Sequence, residues 1–174
     1  PAPRVRLEAV RAASFFTTPE AVAVAHEILK YDTDYYLDYT FQETMRQLRK
    51  YSRDLFLPTD PRALARVMDR LSNAELLQAP GSEAVWMERL RRKGIDINAR
   101  NDALAQLAKL HQSDRGRELL AALQRLDAGA NVDTTAADLG VLLTVNPAEL
   151  QPLRDRLAPL SRDATSRSRP SPAR

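Results

Sequence analysis

The sequence predicts an all-α fold, a right-handed superhelix of about ten helices stacked as hairpins. Three observations favour it. Residues that form helices readily dominate the 174-residue chain: Ala, Leu, Arg, Glu and Gln. Apolar residues recur at helical spacing, and runs of Val, Ile and Thr with alternating polarity do not occur. The links between predicted helices are short, and one pattern occurs twice, as in proteins built from stacked repeats.

The first four predicted helices have clear start signals. Proline in the first turn or a capping side chain marks the starts at Pro3, Thr18–Pro19, Asp34 and Asp60–Pro61. The second helix is expected to run from Pro19 to about Lys30. The long third helix has a stripe with steps of four and three, formed by Leu37, Phe41, Thr44, Leu48 and Tyr51.

The later helices are marked by caps and glycines. Ser72 and Glu75 have the spacing of a capping box before a short helix. The remaining signals are Ser82 and Asp114 as caps, and Gly94 and Gly129 as stops. The helix before Asp114 is predicted from Asn98 to about Gln112. The last two helices are predicted from about Asp133 to Asn146 and from Pro147 to about Ala158.

Charge and composition divide the chain into a helical domain, residues 1–160, and a tail, residues 161–174. The tail is rich in Ser, Arg and Pro and is predicted to be disordered. Its four arginines and one aspartate account for the whole net charge of +3. Residues 1–160 are therefore electrically balanced, which disfavours a surface that follows phosphates.

Several functional classes are excluded or disfavoured. The chain has no cysteine, which excludes disulfides, thiolate nucleophiles, iron–sulfur clusters and covalent haem attachment. No apolar run approaches the ~18 residues of a membrane span. Neither a catalytic motif nor a cofactor or metal site is predicted. The chain begins at Pro1 without a signal peptide, so we expect a fragment or a processed chain.

The repeated pattern covers residues 5–13 and 99–107, which align without a gap. In each copy an arginine is followed by an acid, an alanine and an aliphatic residue at the second, third and fourth positions. The first copy resembles the HEAT repeat motif. We expect Ala9 and Ala103 to allow close helix packing, and Arg6 and Arg100 to reach carboxylates or carbonyls of a neighbouring repeat. An irregular α-bundle remains the alternative fold.

A narrower resemblance concerns residues 3–12 and 30–46. These segments are similar to the helical region of planctomycete and verrucomicrobial membrane-bound dehydrogenases and haem-binding proteins. In that family, HEAT repeats follow a propeller domain and often precede a c-type cytochrome domain. The resemblance implies a spacer within a larger periplasmic or otherwise extracytoplasmic redox protein. No dehydrogenase or haem residue can be transferred to this chain.

The candidate partner-binding residues are four of the five tyrosines: Tyr31, Tyr35, Tyr36 and Tyr39. Tyrosine is enriched at protein interfaces, so these residues and Phe41 could dock a protein or a flanking domain. The alternative is that they fill the groove where one hairpin packs on the next.

The other polar clusters have structural interpretations. Asp32, Asp34 and Asp38 lack the spacing of a calcium loop, and Asp34 is better explained as a cap. His26 is expected to be a partly exposed structural residue, and His111 to interact with a helix end. The basic stretch is expected to be a solvated face with salt-bridge partners; it comprises Arg46, Arg49, Lys50 and Arg53.

Two functional hypotheses follow. The first is a non-enzymatic helical-repeat scaffold for protein–protein or inter-domain contacts. The alternative is a nucleic-acid-binding helical-repeat protein, including a HEAT-fold DNA-repair enzyme. The alternative requires a continuous Arg/Lys stripe and salt-sensitive binding. The scaffold requires an exposed apolar or aromatic patch.

Overall fold

A computed structural model describes residues 2–51 and 55–128, and all the regular structure in these residues is helical. Within them the α-helices are α1 Pro3–Ala13, α2 Glu20–His26, α3 Tyr35–Leu48, α4 Pro61–Arg70, α5 Asn73–Gln78, α6 Glu83–Arg91, α7 Ile97–Leu110 and α8 Arg115–Ala128. A 3₁₀ helix, Glu27–Lys30, follows α2 directly and completes the predicted second helix. The all-α prediction is confirmed. The last two predicted helices and the tail lie outside the described residues, and the superhelix stays a prediction.

Local capping chemistry sets most of the helix starts. Asp34 accepts a hydrogen bond from the Leu37 N–H at 2.9 Å, and Asp60 accepts one from the Ala63 N–H at 2.9 Å. Ser72 forms the predicted reciprocal pair: its N–H donates to Glu75 at 2.8 Å, and the Glu75 N–H donates back to its hydroxyl at 3.2 Å. These caps are confirmed, as are Ser82 before α6 and Asp114 before α8.

Two starts differ from the prediction. Pro19 precedes α2 and no side chain caps that helix; the Thr18 hydroxyl instead hydrogen-bonds the Glu20 carboxylate. Asp96 caps α7 by accepting from the Asn98 and Ala99 N–H groups, so the helix begins one residue early, at Ile97.

The first compact unit ends at Gln78. Its α1 packs on α2 and α3, and its 3₁₀ helix packs on α4. The side chains of Val10, Leu29, Leu37 and Leu48 are almost completely buried in it. The buried Thr44 hydroxyl donates a hydrogen bond to a carbonyl of α1, which joins α3 to that helix.

The second unit begins at Ala79, and its described part contains α6, α7 and α8, which pack on one another. Its core cluster includes Leu90, Leu104, Leu107 and Leu123. Trp86 is partly buried and packs against this cluster. Gly81 allows the backbone to approach the indole, because a Cβ at that position would lie 3.1 Å from Cζ2 of Trp86.

The two copies of the repeated pattern share part of their structure. Val10 and Leu104 are both buried at the same position of the pattern. Arg6 donates to the Asp32 carbonyl at 2.8 Å, and Arg100 donates to the Arg92 carbonyl at 2.9 Å, so each arginine contacts a backbone carbonyl. That these carbonyls belong to a neighbouring repeat stays a prediction.

The expectation for the two alanines of the pattern is only half correct. Ala103 is fully buried in α7, which contacts both α6 and α8. Ala9 is exposed, because the inward face of α1 is formed by Val10 and Ala13. Close helix packing through the pattern's alanine therefore occurs in the second copy and not in the first.

Candidate functional site

The four candidate tyrosines form an exposed surface at the start of α3. The exposed fractions are 75% for Tyr35, 70% for Tyr36, 56% for Tyr39 and 40% for Tyr31. We call these four residues the tyrosine surface. At these exposures the rings do not fill a groove among the described residues, so the groove-filling interpretation does not account for them.

The helical period of α3 explains this exposure. Its buried positions are Leu37, Phe41, Thr44 and Leu48, which recur at steps of four, three and four. Residues at that spacing lie on one face of a helix, and this face packs into the core. The three tyrosines of α3 fall outside that stripe, so burying the stripe leaves their rings in solvent.

Three rings of the tyrosine surface, those of Tyr35, Tyr36 and Tyr39, pack against one another. The Tyr35 and Tyr36 ring centroids lie 5.6 Å apart in an edge-on arrangement. The Tyr35 and Tyr39 centroids lie 6.4 Å apart with only 19° between the ring planes. Both geometries are favourable for aromatic pairs. These three side chains therefore form one aromatic cluster, whereas the Tyr31 ring contacts the Arg6 guanidinium.

Three arginines from α1 and α4 hold the loop that leads into α3. Arg6 donates to the Asp32 carbonyl, and its guanidinium lies 5.3 Å from the centre of the Tyr31 ring. Arg66 donates to the Tyr31 carbonyl and pairs with the Asp32 carboxylate at 3.2 Å. Arg62 pairs with the same carboxylate. We call Arg6, Arg62 and Arg66 the arginine clamp; it fixes the backbone immediately before the tyrosine surface.

Sequence reasoning missed most of this clamp. Arg6 was singled out only for its place in the repeated pattern, and Arg62 and Arg66 were not considered. A signal was present, because arginines at positions 62, 66 and 70 are four residues apart and so lie along one face of α4. What the sequence could not give was the loop that this face contacts.

The three aspartates of this region all have partners within the protein. Asp32 pairs with the arginine clamp, Asp34 caps α3, and Asp38 forms an ion pair with Arg70 at 2.8 Å. The interpretation of Asp34 as a cap is confirmed. In residues 2–51 and 55–128 no group of three or more His, Asp or Glu side chains is arranged to hold a metal ion.

The basic stretch at the end of α3 has the expected partners. Arg46 pairs with Glu43 at 2.8 Å, and Arg49 pairs with Glu75 at 3.0 Å. Lys50 donates to the Gln47 side chain at 2.7 Å. Arg53 lies outside the described residues. The described part of this stretch is therefore a face on which basic and acidic side chains are paired.

The two histidines have opposite surroundings. His26 is only 3% exposed, so the expectation of partial exposure is wrong: the ring lies among aromatic side chains, with centroid distances of 5.9 Å to Phe41 and 6.0 Å to Phe56. Burial and, to a smaller extent, the charge of Arg70 lower the pKa of His26 to about 4. His111 ends α7, and its hydrogen bond with Glu118 raises its pKa.

None of the helices in the described part of the chain has the length and apolar character needed to cross a membrane. Comparison with protein-family models, curated proteins and solved structures gave no match. The function must therefore be argued from the residues of this chain.

Proposed function

We propose that this chain is a non-enzymatic helical scaffold that binds a protein partner, or a flanking domain of a longer polypeptide, through the tyrosine surface. The observation that carries the proposal is the exposure of three adjacent tyrosines on a helix whose other face is buried, with a fourth exposed tyrosine, Tyr31, in the segment just before that helix. Tyrosine offers a large contact area with few rotatable bonds, together with a hydroxyl that can hydrogen-bond a partner.

The charges around the surface also support a protein partner. Arg6 lies over the Tyr31 ring, so an aromatic and a cationic group are presented side by side. Tyrosine and arginine are the residue types most enriched at the centres of protein interfaces. The nearby carboxylates of Asp32 and Asp34 are occupied by the arginine clamp and the α3 cap. We therefore assign this surface to binding and not to acid–base chemistry.

Two finer features belong to the same proposal. The first feature is that the helices stack as a HEAT-type right-handed superhelix. The arginine–carbonyl contacts that α1 and α7 share support it. The scaffold serves as a spacer in a larger extracytoplasmic redox protein, as the resemblance of residues 3–12 and 30–46 implies. In such a protein the flanking domain would be the natural occupant of the tyrosine surface.

The nucleic-acid alternative has less support. It requires cations that are available to phosphates along a continuous stripe. In the described part of the basic stretch, Arg46 and Arg49 each contact a carboxylate. Next to the tyrosine surface, Arg62 and Arg66 likewise pair with the Asp32 carboxylate.

The proposal is tested by affinity purification from extracts of the source organism, with partners quantified by mass spectrometry. The triple variant Tyr35→Ala, Tyr36→Ala, Tyr39→Ala should recover specific partners at least about tenfold less well than the unmodified chain, because each interface tyrosine contributes on the order of 1 kcal/mol or more. The matched control is Tyr51→Ala, since Tyr51 is also exposed but is not part of the tyrosine surface.

Circular dichroism establishes that the triple variant is folded. Equal recovery of every partner by the folded triple variant and the unmodified chain would contradict the proposal. Binding of a labelled DNA duplex or RNA that weakens steeply with salt and survives the triple substitution would favour the nucleic-acid alternative.

A further inference from the structure

The first unit contains a cavity of about 360 Å³ that is separate from the tyrosine surface. It is bounded by the end of α2, the second half of α3, the end of α4 and the segment at Leu55. This volume lies within the ~300–1,000 Å³ range of small-molecule sites. Much of the wall is apolar, and includes Phe41, Met45 and Val67.

His26 is a buried polar group on this wall. Its side chain is almost completely shielded from solvent, and among the described residues its Nδ1 has no hydrogen-bond partner. Buried polar atoms in proteins are nearly always hydrogen-bonded, so such an atom requires an explanation. A neutral imidazole can donate or accept at this nitrogen, according to its tautomer. The ring as a whole lines the cavity, so a ligand bound there would change the surroundings of His26.

Three arginines give the cavity its charge. Arg46, Arg49 and Arg70 line it, whereas none of the described residues that line it is an Asp or a Glu. The carboxylate partners of these arginines are Glu43, Glu75 and Asp38, respectively, which do not line the cavity. Arg70 also donates a hydrogen bond to the Arg66 carbonyl at 3.1 Å. Each ion pair uses one nitrogen of a guanidinium that carries five N–H donors.

The helix dipoles account for part of this arrangement. Arg46 and Arg70 lie in the last turns of α3 and α4, where a cation is favourable. The dipoles do not account for an open volume of ligand size, nor for a wall whose described ionisable groups are cations and a neutral imidazole.

The charge balance selects the kind of anion. The charges of the three arginines and of their three carboxylate partners sum to zero. The positive field in the cavity therefore comes from the positions of the arginines and not from an excess of positive charge. A monoanion suits such a site better than a phosphate dianion, whose desolvation is more costly. The apolar wall adds a preference for a hydrocarbon body.

We propose that this cavity binds a small organic carboxylate with an apolar body. The carboxylate accepts hydrogen bonds from Arg46, Arg49 and Arg70, and the body contacts Phe41, Met45 and Val67. The site is independent of the tyrosine surface.

The test is an NMR titration of the full chain at constant pH, with histidine ring signals as the readout. The chain has two histidines, so His26 reports on the cavity while His111, which belongs to the second unit, is the internal control. The probes are 3-phenylpropionate, its neutral isostere 3-phenylpropionamide, and inorganic phosphate. We expect 3-phenylpropionate to shift the His26 signals saturably below about 10 mM, and the amide to bind at least about tenfold more weakly.

Arginine variants locate the anion. Arg46→Gln and Arg49→Gln should each weaken binding of 3-phenylpropionate about fivefold or more, because each removes a charged donor. Their side chains are 70% and 59% exposed, so these variants should fold. Arg117→Gln is the matched control: it removes one exposed cation that is paired with an acid in the second unit.

Each remaining outcome overturns the proposal. These are equal binding of the acid and the amide, a saturable effect of phosphate as strong as that of the carboxylate, unchanged affinity in both arginine variants, or no His26 shift with any probe. The comparison of acid and amide uses the unmodified chain, so it holds even if a variant does not fold. Partner recovery through the tyrosine surface is a separate measurement and does not decide this one.

Discussion

His26 couples the first unit to pH through its burial. Its folded-state pKa is about 4, whereas the unperturbed value is 6.5. Well above pH 6.5 the His26 ring is neutral in both the folded and the unfolded chain. In that range His26 therefore adds no pH dependence to the stability. Between pH 6.5 and about 4 the unfolded chain binds a proton that the folded chain does not. Stability should therefore fall as the solution becomes more acidic.

We expect the unmodified chain to lose on the order of 2 kcal/mol of unfolding free energy between about pH 7 and about pH 5 from this residue. His26→Phe should remove most of that loss, since phenylalanine fills a similar volume and does not titrate. Urea unfolding followed by far-UV circular dichroism at the two pH values measures it. Most carboxylates have yet to titrate in this range, so the two histidines account for most of the pH dependence there.

His111→Gln is the control for the histidine experiment. Because the pKa of His111 is raised, its contribution is fully present below pH 6.5 and is lost as the pH rises through the folded-state value. Removing it should therefore change the pH dependence in the opposite sense to His26→Phe. If His26→Phe lost as much unfolding free energy between the two pH values as the unmodified chain, the titration of His26 would not be the cause of the loss.

At the scale of elements, the start of α3 combines a cap with the exposed rings. The Asp34 side chain satisfies the Leu37 N–H, one of the donors that a helix leaves unpaired in its first turn. The helix start in turn determines the position of Tyr35, the first helical residue, and of Tyr36 and Tyr39 after it.

Asp34→Ala should lower the free energy of unfolding by about 1 kcal/mol, because it leaves that N–H without its side-chain acceptor. Asp34→Asn should retain most of the stability, because asparagine caps helices about as well as aspartate. Thermal or urea unfolding of the two variants separates the cap from the charge. If the alanine variant proves as stable as the asparagine variant, the cap contributes nothing measurable.

Caps such as Asp34, Asp60 and the Ser72–Glu75 pair could be predicted because they depend on residues within one helical turn. The buried stripe of α3 could be predicted for the same reason. Asp32 shows the limit: its carboxylate pairs with arginines 30 and 34 residues further along the chain.

The candidate site was partly foreseeable. The tyrosines stood out by composition, but their exposure depended on which face of α3 the core covers. The burial of His26 and the cavity beside it depend on Phe41, Phe56 and Arg70, which reach it from other segments. No pattern within α2 carries that information.

At the scale of the whole molecule, the chain divides into two compact units. Leu37 is buried in the first and Leu104 in the second. The single tryptophan, Trp86, packs against the core of the second unit. Its fluorescence therefore reports on that unit, whereas circular dichroism reports on both.

Leu37→Ala and Leu104→Ala should each cost ~2–5 kcal/mol, through lost burial and the cavity left behind. We expect Leu104→Ala to shift the urea transition of Trp86 fluorescence to lower concentration. Leu37→Ala should lower the transition seen by circular dichroism and leave the fluorescence transition nearly unchanged. Equal displacement of the fluorescence transition by both substitutions would mean that the units unfold together.

The arginine clamp has a consequence for any association through the tyrosines. Arg6 reaches the loop from α1, and Arg62 and Arg66 reach it from α4, so the backbone before α3 is restrained from two sides. A surface that is already ordered gives up little conformational entropy when it meets another molecule. The affinity would then depend on whether the surface of the partner is complementary to one preorganised arrangement of the tyrosine rings.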